Sequence, residues 1–395
     1  MINPKYILTI TGRLLINLKR ICKSRIVFSK VKKSEILIFG TPSYINILNK
    51  KKYKFLRFKD INFFHIWGES YNFFILMKCL FNLKFDFLYY SNQYISACNP
   101  KIILTFLDNY KIFYLLKKNK FQKKILVQGS FRSNESNQFK RNNKFLENKV
   151  DYIFSQNKEI GKKYSRMLKG KTYPVGSFLS NDVPLPKIKK KKIYDLVYVS
   201  TFRFKKEKTI INKNITIKEY LQCEREFVKK ISKYAKDKKR KLHILCTNKL
   251  FQRQEELKFF DEIFENKKWN MIKRSSNKFN STYDILDKSK IVLGIDSTVL
   301  YETFARGGKT VFFDIRPTND FLKKNRHFAW PAKLNKSGPF WTDKNDYNAI
   351  TKLINKVYNY DEKSWLNINK KFKDSIMSYD ENNKTFNLVL KKIIN

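Results

Sequence analysis

Apolar residues in this chain cluster in short, nearly unbroken runs. Each run ends in a polar or glycine pair, and most are followed by a stretch with helical spacing. In the first half, Glu35 to Phe39 reads as a strand ending at Gly40, and Tyr71 to Leu83 has helical spacing. Lys101 to Leu107 (KIILTFL) is an apolar strand ending at Asp108-Asn109, and Ile112 to Lys118 reads as helical. Lys124 to Val127 is a strand ending at Gln128-Gly129. Tyr152 to Ser155 is another, followed by a helix through Leu168 and a turn at Gly176-Ser177. The second half restarts with Asp195 to Ser200 (DLVYVS), a long polar helix over Ile217 to Lys238, and strands at Lys241 to Cys246 and Trp269 to Arg274. A buried strand beginning at Lys290 then meets an Asp-Ser-Thr turn, a short helix and a second strand from Thr310 to Asp314. Tyr347 to Tyr358 and Trp365 to Ile394 read as mostly helical. Strands alternating with helices predict an α/β chain with parallel sheets.

Two prolines and a lysine run between Asp182 and Lys192 mark a linker. The division that follows is a basic segment over 1–34, a domain over 35–182, the linker over 183–192, a second domain over 193–375 and a final helix over 376–395. No repeat of solenoid period is visible. Two such halves should face each other across a cleft, where small substrates usually bind. In an open α/β sheet the ligand lies past the carboxyl ends of the strands.

The length of 395 residues suits two domains, and 42% apolar residues provide a substantial core. The formal charge of +49 invites a nucleic-acid reading. However, the lysines are scattered and accompany heavy use of Asn, Ile and Phe, and no nucleic-acid-binding motif is present, so no nucleic-acid partner is expected. So basic a surface should still be drawn to anionic headgroups and substrates. Tyr6 to Arg25 could form a basic amphipathic helix on a membrane surface or, equally, a helix packed on its own domain. The apolar stretch from Ile61 to Tyr90 is too interrupted by Glu69, Lys78, Lys84 and Asp86 to span a bilayer. No secretory signal is read at the N-terminus. Five dispersed cysteines and three isolated histidines argue for a reducing, cytoplasmic setting and against a disulfide framework or a structural metal.

The candidate chemistry sits at the strand ends. Ser297 and Thr298 open a helix whose first amides and dipole attract phosphate. Glu302, one turn further on, could accept hydrogen bonds from ribose hydroxyls. Either hydroxyl could instead merely cap the helix, and Glu302 could be a solvated charge. Asp296 beside a phosphate would be repulsive unless it points away or serves as the cap. Ser200 and Arg203 follow the DLVYV strand and complete the expected donor-binding set. In the first half, Glu69 and Asp108 are the acidic residues that directly follow apolar runs, so either could take the proton of an acceptor hydroxyl or cap a helix. Asn109, Gln128 and Gly129 lie at strand ends facing the cleft, and His327 could reach it. Neither a Gly-x-Gly-x-x-Gly nor a Walker A pattern is present. No metal and no cofactor are expected beyond an activated donor acting as substrate.

Six segments add a resemblance: Trp67-Gly-Glu-Ser-Tyr-Asn72, Pro100 to Asn109, Ile125-Leu-Val-Gln-Gly129, Val150-Asp-Tyr-Ile-Phe-Ser155, Asp296-Ser-Thr-Val-Leu-Tyr-Glu302 and Gly338-Pro-Phe-Trp341. In this order the chain resembles bacterial surface-carbohydrate biosynthesis proteins of the GT-B glycosyltransferase type, from about Glu35 onward. The resemblance implies two Rossmann-type domains facing across a cleft, with C-terminal helices crossing back. It also implies transfer from a nucleotide-sugar donor, held by the second domain, to a glycan or lipid-linked acceptor held by the first. The product would be lipopolysaccharide, O-antigen or capsule, made by a cytoplasmic enzyme; the inner face of the cytoplasmic membrane is a further expected partner from the basic charge alone. The family-like Gln-Asn-Gly is here Gln128-Gly129-Ser130, and no His-Pro pair of the kind seen in some CMP-sugar transferases is present. A polyol-phosphate transferase using a CDP-glycerol-type donor and a non-catalytic scaffold of a glycan assembly complex are the competing readings.

Overall fold

The computed structural model describes residues 21–40, 60–66, 70–84, 86–108, 110–129, 150–186, 191–203, 210–212, 215–246, 253–272, 281–316 and 328–395. Most of the N-terminal amphipathic segment, together with Glu69, Asn109 and His327, lies outside these residues.

Among the described residues, six strands form the main sheet of the first lobe: β1 (Ile36–Phe39), β2 (Ile61–Phe64), β3 (Ile102–Thr105), β4 (Lys123–Val127), β5 (Tyr152–Ser155) and β6 (Lys171–Pro174). They form one parallel sheet in the order β2-β1-β3-β4-β5-β6. Its helices are α1 (Phe73–Phe81), α2 (Phe87–Cys98), α3 (Lys111–Leu115), α4 (Lys158–Leu168) and α5 (Phe178–Asn181). The strands read as unbroken apolar runs because both faces of the sheet are covered. Leu37, Phe39, Ile103, Leu126 and Ile153 pack on one side with residues of α1, α2 and α4. Ile36, Ile38, Leu104, Ile125 and Phe154 pack on the other with Phe178, Phe386, Val389 and Leu390.

The second lobe repeats the plan with β7 (Tyr194–Val199), β8 (Leu242–Leu245), β9 (Asn270–Ile272), β10 (Ser289–Gly294), β11 (Thr310–Phe313) and β12 (Trp341–Thr342). These are parallel in the order β9-β8-β7-β10-β11-β12. Helices α6 (Ile217–Asp237), α7 (Arg253–Ile263), α8 (Ser281–Asp287), α9 (Thr298–Ala305), α10 (Tyr347–Asn359) and α11 (Glu362–Phe372) accompany them. Beyond α11 the chain returns to the first lobe. The Asn157 side-chain amide donates to the carbonyls of Ser375 and Ile376 at 2.9 and 3.1 Å. The last helix, α12 (Lys384–Ile394), then lays Phe386 against Phe154 and Phe178. Two doubly wound lobes with a returning C-terminal helix are the α/β architecture expected above.

Several local expectations change. The helix expected over Tyr71 to Leu83 begins at Phe73, because Ser70–Asn72 pairs in parallel with Arg25–Val27. Asn72 caps it, its side chain accepting from the Ile75 amide at 3.3 Å. The apolar stretch from Ile61 contributes β2 and then α1, elements of one lobe. The helical region expected from Trp365 to Ile394 is two helices separated by the crossover at 373–383.

Candidate functional site

The connections leaving β7 and β10 run to opposite sides of the second sheet: β7 continues to β8, and β10 to β11. The gap between their carboxyl ends is therefore a topological switch point, where ligands of open α/β sheets bind. Ser200 to Arg203 leave β7 there, and Asp296 to Thr298 leave β10.

A buried charge cluster holds these two turns together. Arg316, just past β11, is 4% exposed. Its guanidinium donates to the Tyr220 carbonyl at 2.9 Å, to both oxygens of Asp296 at 3.2 and 3.4 Å, and to the Thr201 hydroxyl. It also stacks 3.5 Å from the centre of the Tyr220 ring. Glu224, fully buried on α6, lies 3.6 Å away. Glu224 accepts from the Tyr198 hydroxyl at 2.7 Å and from the amide and hydroxyl of Thr201 at 3.0 and 2.9 Å. Burial alone would lower the pKa of Arg316; Asp296, Tyr220 and Glu224 outweigh it and raise the pKa, so the guanidinium stays charged. Burial, and then Asp296, pushes the Tyr220 phenol up to about 12. Burial first and Glu224 second hold Tyr198 well above the usual phenol range. Both phenols are thus hydrogen-bond donors at neutral pH.

The donor-binding candidates fall into three groups. Asp296 accepts hydrogen bonds from Tyr220 and Arg316, so its negative charge is paired with the buried guanidinium. Ser297 is the residue before α9 and makes no side-chain cap hydrogen bond, and Thr298 is the first residue of the helix. Arg203 is exposed at the mouth, 5.2 Å over the same Tyr220 ring. Ser200 faces inward, donating to Glu256 at 2.5 Å and accepting from the Phe202 amide at 3.2 Å. It shapes the turn.

Glu302 occupies a different place from the one expected of a ribose ligand. Its carboxylate, 6% exposed, accepts from Ser177 of the first lobe at 2.5 Å and from Tyr283 at 3.1 Å. One turn on, Arg306 pairs with Asp287 at 2.7 Å and donates to the carbonyls of Ser180, Val183 and Pro184. The far face of α9 is thus fastened to the end of the first lobe and to the linker, while its N-terminus faces the switch point.

In the first lobe Asp108 is 2% exposed. Tyr164 donates to its carboxylate at 3.1 Å, and Tyr114 to its carbonyl at 2.7 Å. Gln128 is also buried: its side-chain oxygen accepts from the Gln156 amide at 2.9 Å, tying the ends of β4 and β5 together. Gly129 admits close approach, but of the chain itself. A Cβ there would lie 2.3 Å from the Phe106 carbonyl oxygen. A cavity of about 490 Å³ lies elsewhere, at the amino ends of β10 and β11, between Pro186, Lys290, Lys309 and Trp365.

Arg316, Glu224, Tyr220 and Glu256 were not singled out from the sequence. A signal for two of them existed: Tyr220 and Glu224 fall on the stripe Ile217, Tyr220, Cys223, Phe227, Ile231 that α6 buries. An acid at a core-facing position of an amphipathic helix needs a partner.

A family model described as "putative O-antigen biosynthesis protein" matches residues 125–394. No curated protein matches the chain. Among solved structures, the wall teichoic acid polymerase TagF is 11% identical with a TM-score of 0.48, over 92% of this chain and 90% of that one. A UDP-GlcNAc 2-epimerase from Methanocaldococcus jannaschii, in complex with UDP-GlcNAc and UDP, is 13% identical with a TM-score of 0.49, over 90% and 99%. The lipopolysaccharide outer core galactosyltransferase WaaB is 12% identical with a TM-score of 0.43, over 90% and 99%.

Proposed function

The chain belongs to this O-antigen biosynthesis family, and from that premise we propose that it is a glycosyltransferase. It moves a sugar from a nucleotide-sugar donor to a growing surface glycan or its lipid-linked precursor. The observation that carries the reading is the convergence, at one switch point, of the opening of α9, the exposed Arg203 and a pinned-back Asp296.

In this reading the donor's diphosphate or phosphate rests against the first amides of α9, with Ser297 and Thr298 as hydroxyl donors and Arg203 as the exposed cation. As the glycosidic bond to the nucleotide breaks, negative charge grows on the leaving phosphate. Fixed amide dipoles and Arg203 stabilise that charge without a metal ion. The buried Arg316 cluster keeps the two turns at a fixed separation, so little reorganisation is needed. Glu302 serves the site from behind by holding α9 to the first lobe. The acceptor sits on the first lobe, and its hydroxyl proton goes to a carboxylate. The burial of Asp108 beneath Tyr164 suits a positioning role, which makes Glu69 the base to test first.

Titration calorimetry with UDP-, GDP-, CDP- and CMP-sugars, with CDP-glycerol alongside, tests the reading. One nucleotide sugar should bind, and Arg203→Ala should weaken it roughly tenfold to a hundredfold, the loss of one charge-assisted hydrogen bond. Binding of CDP-glycerol alone would move the protein to polyol-phosphate transfer. Binding of none would leave a scaffold role and sink the proposal.

A further inference from the structure

Helix α1 has the sequence FFILMKCLF and turns Ile75 and Cys79 into the first lobe, where they are 5% and 4% exposed. Its outer face carries Phe74, Lys78 and Phe81 at i, i+4 and i+7. Phe81 and Leu83 are each 79% exposed, and Phe74 and Leu80 each 47%. Phe28, 66% exposed, extends the patch: its ring lies 5.0 Å from Phe73, which in turn lies 5.8 Å from Phe74. Contiguous exposed aromatic and leucine side chains of this kind mark an interaction surface.

The border of the patch names the partner. Lys23, Arg25, Lys30, Lys32 and Lys33 are exposed on the segment leading to and from Phe28, and Lys78 and Lys84 are exposed on and just after α1. Among the described residues the acids beside it have partners: Asp60 lies 3.6 Å from Lys32, and Asp86 caps α2. A second copy of the chain would bring the same positive rim to the contact and be repelled. A bilayer with anionic headgroups offers the complementary charge, and its acyl boundary accepts the aromatic rings. Lysine stems beside apolar side chains can lie along the interface while their ammonium groups reach the phosphates. Among the described residues no helix is long and apolar enough to cross a membrane, so a surface mode is the one this patch supports.

We propose that the outer face of α1, with Phe28, docks the protein on an anionic lipid bilayer, Phe74 and Phe81 entering the headgroup–acyl boundary. This goes beyond electrostatic attraction of a basic protein, because it predicts a defined point of insertion. It is also independent of the donor assignment, since no sugar is needed to observe it.

The full chain is sedimented with vesicles of phosphatidylglycerol and phosphatidylethanolamine, and with phosphatidylcholine vesicles for comparison. Binding should favour the anionic vesicles. It should fall by at least about tenfold in Phe74→Ser/Phe81→Ser, the loss of two inserted rings. Phe121→Ser should retain it, although Phe121 is 75% exposed just before β4. A second, conservative variant guards against misfolding: Phe81→Trp should give a blue-shifted emission component on anionic vesicles, quenched by brominated acyl chains. The proposal is overturned if the double variant binds like the parent, if Phe81→Trp shows no quenching, or if the substitutions only convert a dimer to a monomer in light scattering.

Discussion

Replacing Arg316 by methionine tests whether the buried cluster at the switch point holds the second lobe together. The substitution keeps most of the side-chain volume and removes the charge. It also removes donations to the Tyr220 carbonyl, the Thr201 hydroxyl and both oxygens of Asp296, and it takes the counter-charge from Glu224 at 3.6 Å. Glu224 is fully buried, so its carboxylate cannot turn to water. Removing one partner of a buried ion pair costs about 3–5 kcal/mol, because the other charge remains desolvated. For a lobe of this size that is a drop of roughly 6–20 °C in Tm. Four of the five tryptophans, at 269, 330, 341 and 365, lie in the second lobe, so intrinsic fluorescence during urea and thermal unfolding reports mainly on it. Adding Glu224→Gln should restore part of the loss, with a coupling of about 1–3 kcal/mol in the double-mutant cycle. A loss under about 1 kcal/mol, or strictly additive substitutions, would refute the reasoning.

Three further outcomes are expected. Burial, assisted by Lys118, holds the Lys124 ammonium down at about 7 against an ordinary 10.5. The unfolded chain then binds the proton more tightly, so stability rises with pH from about 7 to 10.5, by at most about 5 kcal/mol. Lys124→Met should therefore exceed the parent in stability at pH 7, with the gap narrowing by pH 9.5 in urea titrations; a gap independent of pH would contradict this. Ser177→Ala, which unties Glu302 from the first lobe, should cost about 1–3 kcal/mol and widen the interlobe distance distribution in small-angle scattering; an unchanged profile and Tm would remove Glu302 from the interlobe contact. Gly129→Ala should destabilise the first lobe by about 1–3 kcal/mol as the new Cβ meets the Phe106 carbonyl, and a neutral result in urea unfolding would show that the loop yields freely.

The strands that were legible in the sequence are those buried on both faces, such as Ile36–Phe39, Ile102–Thr105 and Ser289–Gly294, because only double burial gives an unbroken apolar run. The edge strand Lys171–Pro174 was not, since a lysine and a proline are tolerated only where one side is unpaired. The turn at Asp296 to Thr298 could be placed at a strand end because its chemistry is local. The roles of Asp296 and Glu302 could not, because each is decided by a partner far along the chain. Arg316 reaches Asp296 across 20 residues and Thr201 across 115, and Ser177 reaches Glu302 across 125. Hydropathy carries no record of which lobe surface a helix will meet.

The returning helix α12 makes the first lobe discontinuous in synthesis as well as in space. Ile36, Leu104, Ile125 and Phe154 wait beneath an uncovered face while more than two hundred further residues leave the ribosome, until Phe386, Val389 and Leu390 arrive to close it. The second lobe's own core closes with Ile376 and Met377, just before Phe386 in the chain. The lobe translated first therefore cannot be finished before the one translated second, and during that interval its half-roofed sheet is a surface open to chaperones and to misassembly.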